Sequence, residues 1–445
     1  MMMCVKAHLN LLIRCWSLAY NMKMDIIIVG SGVAGLYCAL NLPKDKNIII
    51  VTKNKARRSD SYLAQGGICV LRDEKDYDAF YEDTMKAGHY ENNPDSVHIM
   101  IHSSREVISD LISFGVRFEK DGEKFTYTRE GAHTNPRILF HEDETGKEIT
   151  SHLLETARGR ENITIIENYT MVDLICSGNE CHGIIGHNAD GVYSAIGADY
   201  TVLATGGIGG IFEHSTNYKH LTGDSIALAL KHGIKLQHID YIQIHPTTLY
   251  TEKDGREFLI SESVRGEGAI LLNSKGERFV NELLPRDVVA NAIFNEMKKE
   301  GSKHVWLSFA PIPEEEIKTH FPNIYQRCLD EGYDVTKEPI PVVPSQHYFM
   351  GGIDVDRYSK TSMERLYAAG ETACNGVHGR NRLASNSLLE SLVFAKRAAE
   401  NIKSNYTRLD CVPPITIEPS QYDGYQEKYK EIVLNAIEKE KMNHE

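Results

Sequence analysis

The sequence lacks the features that would place it among disulfide-built, membrane-spanning or nucleic-acid-binding proteins. No C-x-x-C pair occurs among its nine cysteines, so neither a thiolate metal site nor a disulfide framework organises the chain. A reducing cytosol is the expected compartment, and no metal is expected. No apolar run is long enough to span a bilayer; the one near the start is interrupted by Arg14. Residues 1–23 therefore read as an N-terminal extension outside the fold. A secretory leader fits poorly, because the domain that follows would carry free thiols out of the cell. Basic residues do not dominate: 49 Lys and Arg against 62 Asp and Glu leave a net charge of −13. That argues against nucleic acid and against an anionic membrane surface as partners. Internal repeats and low-complexity blocks are also missing. What remains is a globular chain of 445 residues, long enough for two or three domains.

The most informative stretch is MDIIIVGSGVAGLYCAL, residues 24–40. Its apolar run at 26–29 predicts a buried strand, and an apolar helical pattern follows. Between them Gly30, Gly32 and Gly35 have G-x-G-x-x-G spacing. The first glycine allows a tight turn, the second lets backbone approach a pyrophosphate, and the third lets helix pack on strand. The helix start then offers free N–H groups to the phosphates. A second strand is predicted at 47–53. It ends in Thr52 and Lys53, where a nicotinamide site would place an acid for the ribose. The loop at 59–70, with Gln65, Gly66 and Gly67, either lies flat against an acceptor-rich ring such as a flavin or is plain surface.

Further on, residues 77–118 read as helical, with Val97, Ile101, Val107, Ile108, Leu111 and Ile112 at core spacing. The cluster Arg129, Glu130, His133 and Arg137 is either a solvated loop or a site for an anion that carries an amine. Residues 149–205 read as strands, with a hairpin turn between Cys176 and Cys181. A helix opens at Gly223 and Asp224. The pattern then changes and resumes as short strands and glycine turns after residue 351. The predicted fold is α/β: a two-piece Rossmann-like domain, residues 24–235 and 351–410, with an inserted α+β capping domain at 236–350. Ser387 and Glu390 have capping-box spacing and predict a helix to about residue 402. Residues 411–445 form a proline linker and one amphipathic helix, with Tyr425, Tyr429, Ile432, Val433, Ala436 and Ile437 on one face.

Candidate chemistry concentrates in the later segments. Pro285 suits a helix start, which puts Arg286 at the positive end, unfavourable for a cation. Either Asp287 or solvent satisfies it, or it is held beside a substrate. His245 and His347 are lone histidines of the kind that usually pack or face water. Arg380 and Arg382 could each fork onto a carboxylate.

Taken in order, GSGVAG, SYLAQGG, TREGAH, LATGG, GDSIALA, IHPTTLY, LISESVRGEGA, LPRDVVANAI, VVPSQHYFMGGI, YAAGET and HGRNRLASNSLLE resemble the fumarate reductase and succinate dehydrogenase flavoprotein family. The match runs over about residues 24–402. The resemblance implies FAD, with Gly30, Ser31, Gly32, Val33, Ala34 and Gly35 on the pyrophosphate and Lys53 on the adenosine side. Asp60, Ser61, Tyr62, Leu63, Ala64, Gln65, Gly66 and Gly67 would face the isoalloxazine, and Val172 would meet adenine through its backbone. Asp224, Glu371, Ser387 and Leu388 complete the implied site, Glu371 on the ribityl chain. Asp60 stands where members with covalent flavin carry histidine, so the FAD is expected to be non-covalent.

The same resemblance makes Arg286 the proton-transferring residue and His245, Ser261, Glu262, His347 and Arg382 the dicarboxylate-binding set. The REGxH loop, with Glu130 and His133, resembles the aspartate-oxidising branch, since an acidic side chain can receive an ammonium that succinate lacks. The implied reaction takes L-aspartate to iminoaspartate, with oxygen or fumarate as acceptor. Quinolinate synthase would consume the product on the way to NAD. Two alternatives stay open: a soluble fumarate reductase, and a flavin-binding electron-transfer subunit without its own turnover. Three departures stand out: Ser261 in place of a common Thr, Arg380 in place of Ala, and a single helix where longer members have a C-terminal helical domain.

Overall fold

The computed structural model describes residues 22–253 and 255–444. The first strand, Met22–Val29, lies at the centre of the main sheet. Its run of apolar residues follows from burial on both faces. Ile26 and Ile28 enter one core, while Ile27 and Val29 enter the other. The neighbouring strand Ile48–Thr52 splits the same way, with Ile48 and Ile50 on one side and Ile49 and Val51 on the other. Met22 and Lys23 pair with Ile196 and Gly197, so these two residues belong to the fold and not to the extension. The rest of that extension, residues 1–21, lies outside the described residues.

The sheet runs Ile163–Glu167, Ile48–Thr52, Met22–Val29, Tyr193–Leu203, then the antiparallel strands Glu180–His187 and Thr170–Ser177. Leu366–Ala368 pairs parallel with Tyr193–Leu203, which returns the late part of the chain to the first domain. The helices Val33–Asn41, Pro94–Ser113, Thr145–Gly159 and Asn386–Ser404 cover one face of the sheet. Asp224–His232 and Tyr425–His444 cover the other. Cys176 and Cys181 face each other across the expected hairpin as free thiols.

The inserted segment builds its own antiparallel sheet. Its order is Phe258–Leu259, Ile242–Leu249, Ile340–Phe349, Val305–Ser308 and Ile270–Leu272. Helices pack on it around Ile260, Val264, Ile293, Leu307 and Ile324. The short strand Leu236–Gln237 pairs with Gly352–Asp354. These residues therefore sit with the nucleotide-binding part, and the cap sheet begins at Ile242.

Several local expectations change. Residues 149–159 are helical, because Ile149, Leu153, Leu154 and Ala157 all point into the core at helical spacing. Ile112 and Ile432 are exposed, at 42% and 39%. In each helix the neighbouring residue, Leu111 or Val433, takes the core position, since one residue turns a helix by about 100°. Ser387 and Glu390 form no capping box. The helix Asn386–Ser404 begins after Ser385, whose side chain makes no capping bond, and Glu390 instead bonds Asn375 and Ser391.

Candidate active site

The carboxyl ends of the parallel strands open into one cleft, the usual ligand position in such a sheet. The cleft runs from Lys53 and Asp224, past the glycine turn and Gln65–Gly67, to His245, Arg286 and Arg382 under the cap. Gly30 has φ +117°, and a Cβ there would lie 1.9 Å from the Ala204 carbonyl oxygen. Gly35 packs against the Gly30 carbonyl, where a Cβ would come within 2.1 Å. Gly32 caps the helix Val33–Asn41 without a side-chain acceptor, which suits an anion at its first turn. Gly30→Ala is expected to yield protein with less than about a tenth of the parental flavin per chain, because backbone blocks the new methyl. The ratio of absorbance at 450 to 280 nm on purified protein checks this.

At the end of the cleft away from the cap, the Lys53 ammonium donates to Asp224 Oδ2 at 2.9 Å and to Thr222 Oγ1 at 2.8 Å. Asp224 starts the helix Asp224–His232, where an acid is favoured by the dipole. In the middle, residues 60–63 form one helical turn. Asp60 Oδ1 accepts the Tyr218 N–H at 3.0 Å, while Oδ2 is buried without a partner. Burial pushes Asp60 up to about 7. Burial, with Asp60 nearby, pushes Glu371 up to about 8. Ser59 Oγ and Gln65 Oε1 are also buried and unpaired. Such atoms need a polar ligand, so the cleft fits FAD: a glycine cradle at one end and a row of unfilled donors and acceptors beyond it. Most expected cofactor residues line it, Ser387 and Leu388 included. Val33, Gly35, Tyr62 and Val172 do not line it, and the Val172 carbonyl accepts from Tyr429 Oη at 2.6 Å.

At the cap end, His245 and His347 stand on adjacent antiparallel strands with ring centroids 5.3 Å apart. His245 engages the Thr247 backbone through Nδ1, and its Nε2 is buried without a partner. His347 Nδ1 meets Thr216 Oγ1 at 2.8 Å. Burial first, then nearby arginines, hold both imidazoles well below their ordinary pKa, so both are neutral donors or acceptors. Burial and Arg286 lower Arg382 to about 10, which leaves it charged near neutrality. Its Nη1 donates to Ser387 Oγ at 3.1 Å, its guanidinium lies 4.7 Å from the Tyr348 ring centre, and its Nε has no partner.

Arg286 is the first residue of the helix Arg286–Glu300. Its partner is not Asp287: Nε donates to Glu262 Oε2 at 2.5 Å and Nη1 to Gln243 Oε1 at 2.9 Å. Burial opposes charge on Glu262, yet Arg286 and Arg265 hold its carboxyl at about 2. Ser261 caps the helix Glu262–Gly266, its Oγ accepting the Ser263 N–H at 3.3 Å. Gln243 carries no signal of its own in the sequence. It lies two residues before His245, hence on the same face of the strand, and its Nε2 donates to the Arg382 carbonyl at 2.9 Å.

In the 129–137 cluster Arg129 is exposed, as a solvated loop would have it, but His133 and Arg137 are buried. Arg137 is fully buried, with Asp76 at 3.0 Å and Asp83 at 2.6 Å. His133 Nε2 meets the Ala384 carbonyl at 3.0 Å. These contacts anchor the loop and leave Glu130 on the cleft wall. Its Oε2 accepts from Ser385 Oγ at 2.6 Å, and that oxygen in turn accepts the Gly67 N–H at 3.2 Å. Desolvation, with Glu262 adding to it, raises the Glu130 pKa. Arg380 turns outward, its side chain 59% exposed and 3.8 Å from Glu91. Arg380→Ala is therefore expected to change kcat/KM by less than about twofold, as surface charges away from a site do; steady-state kinetics check it.

A sheet whose glycine turn and late strand share one nucleotide cleft, roofed by a cap that supplies arginines and neutral histidines, defines an FAD-binding flavoprotein of the fumarate reductase type. Residues 25–388 match the family described as FAD binding domain. The chain belongs to the L-aspartate oxidase family. It is 53% identical to the L-aspartate oxidase of Clostridium perfringens, over 93% of this chain and 94% of that one. It is 50% identical to that of Clostridium acetobutylicum over 88% and 90%, and 40% identical to that of Pseudomonas aeruginosa over 86% and 76%. Among solved structures, an Escherichia coli quinol fumarate reductase superposes with TM-score 0.81 at 28% identity, covering 92% of this chain and 74% of that one. Mycobacterium smegmatis Sdh1 gives 0.78 at 32%, covering 91% and 72%.

Proposed function

We propose that this chain oxidises L-aspartate to iminoaspartate, with FAD held non-covalently in the cleft. The observation that carries the reading is one juxtaposition. Arg286, Arg382, His245 and His347 line the same end of the cleft as Glu130. Two cations and two neutral imidazoles suit the two carboxylates of aspartate, and Glu130 suits its ammonium. Bound FAD supplies the two-electron acceptor for the hydride that leaves the substrate α carbon. The protein does the rest. Arg382, His245, His347 and the Ser261–Glu262 turn bind and orient the carboxylates. Arg286, fixed by Glu262 and Gln243, relays the proton that leaves the substrate nitrogen as the α carbon gives up hydride and the carbon–nitrogen double bond forms. Gly30, Ser31, Gly32, Ala34, Lys53 and Asp224 line the cleft and hold the dinucleotide, while Gly35 lets the helix pack close to the glycine turn. Asp60, Glu371 and the Gln65–Gly67 loop hold the ring and its polyol chain.

The acceptor that closes the cycle is oxygen or fumarate, and quinolinate synthase consumes the product, which places the chain in NAD formation. Free thiols throughout the described residues support a reducing cytosol as its location. Among the described residues no helix is long and apolar enough to cross a membrane. Fumarate reduction is the second reading, supported by the solved neighbours, and it uses the same cations in reverse. The deciding experiment is anaerobic. Adding L-aspartate should bleach the flavin absorbance near 450 nm; a yellow protein that aspartate leaves unbleached would overturn the proposal.

A further inference from the structure

We infer that the helix Tyr425–His444 braces the adenosine end of the cofactor cleft, and that Tyr429 and Val433 set cofactor affinity without touching the reacting atoms. The inference rests on the FAD reading of the cleft. One side of the helix, Tyr425, Tyr429, Val433 and Ile437, is buried against the core behind the sheet. This face meets two elements that form the cleft wall. The first is the strand Thr170–Ser177. Its ladder shifts register between Met171 and Asp173, leaving Val172 as the extra residue. A bulged residue leaves the regular ladder, and its polar groups need other partners. Tyr429 Oη donates to the Val172 carbonyl at 2.6 Å. Met171, beside the bulge, and Tyr169 line the cleft.

The second element is the helix Asp224–His232. At its start, a Cβ built on Gly223 would lie 3.7 Å from Val433 Cγ2. Thr222, Gly223 and Asp224 line the cleft, and Asp224 holds Lys53. At its far end, Lys231 and His232 reach Asp173 at 2.5 and 2.7 Å. Tyr422 Oη, just ahead of the bracing helix, donates to the same carboxylate at 3.3 Å. The helix therefore holds the bulge and packs on the segment that carries Asp224, while Tyr422, ahead of it, shares Asp173 with the far end of that segment. All of these contacts lie on the adenosine side, away from Arg286 and Glu130. The bracing residues are positioning residues: they act through the Val172 carbonyl and through packing on the helix Asp224–His232.

The test is titration of the flavin-free full chain with FAD, followed by quenching of flavin fluorescence. Tyr429→Phe keeps the ring and removes one hydrogen bond, and Val433→Ala loosens the packing of the helix beside the start of Asp224–His232. Each should raise the FAD dissociation constant by roughly three- to tenfold, the range expected for losing one buried hydrogen bond or a small packing contact. Affinity for ADP, which carries only the adenosine and phosphates, should fall by the same factor. kcat and KM for L-aspartate at saturating FAD should stay within twofold. Ile432→Ala, on the exposed side of the same helix, should change nothing. FAD affinity within twofold of the parent for both variants, at parental helix content, would overturn the brace; so would a loss confined to KM for aspartate. Because this readout needs only cofactor, a parent that binds FAD but ignores aspartate would sink the proposed activity and leave the brace standing.

Discussion

Arg286→Leu is expected to give a yellow protein whose flavin L-aspartate no longer bleaches. Arg286 is buried, 8% exposed, and its guanidinium is held on two sides by Glu262 and Gln243. The residues that cradle the dinucleotide lie on the other domain, so FAD should remain bound. Losing a positioned proton-transfer group costs on the order of 10²–10⁴-fold in rate. Stopped-flow bleaching under anaerobic conditions measures that loss. Leucine also leaves the Glu262 carboxylate without its nearest partner. Removing one member of a buried pair typically costs about 3–5 kcal/mol. Arg265 at 3.8 Å from the same carboxylate should soften this, so a fall in Tm smaller than that figure implies is the expected companion. Arg286→Lys separates the two effects. It restores a charge beside Glu262 but not the planar two-armed hold, so stability should recover further than rate. A Leu variant that bleaches at the parental rate would remove Arg286 from the chemistry.

The parts of this fold legible in the sequence are those dictated locally. The apolar run before Gly30 is continuous because the first strand is buried on both faces, and Gly30 is a glycine because Ala204 leaves no room for a side chain. Helix faces were legible only to within a residue. Ile112 and Ile432 sit one step from the positions that the core takes, and apolar spacing alone does not choose between neighbours. The paired charges around Arg137 read as a loop, because Asp76 and Asp83 lie more than fifty residues upstream, on another helical segment. The site itself is assembled across still longer separations. Thr216 meets His347, Ser385 meets Glu130, and Gln243 joins Arg286 to Arg382. No periodicity carries such pairings. The motif resemblance supplied the candidate ligand-facing residues, while their supports became visible only with the chain folded.

Glu130, which Ser385 supports, bears on the substrate. Glu130→Gln is expected to lower kcat/KM for L-aspartate by about 10²–10³-fold while changing fumarate reduction less than about tenfold. Truncating one partner of a buried charge pair costs about 2–5 kcal/mol, and each 1.4 kcal/mol is about tenfold. Aspartate brings an ammonium to this wall, and fumarate brings none. Glutamine still accepts from Ser385 through its amide oxygen, so the loop should keep its place and the comparison should report charge. The pH dependence gives an independent check. Desolvation and Glu262 raise the Glu130 pKa above the ordinary carboxylate range, and only the ionised form can hold an ammonium. Aspartate turnover should therefore fall with decreasing pH earlier than a free carboxylate would dictate. That acid limb should vanish from the residual activity of Glu130→Gln and be missing from the fumarate profile. Equal losses for both substrates, or an unchanged acid limb, would assign Glu130 to holding the flavin loop and take from the cleft the one group that distinguishes an amino acid from a plain dicarboxylate.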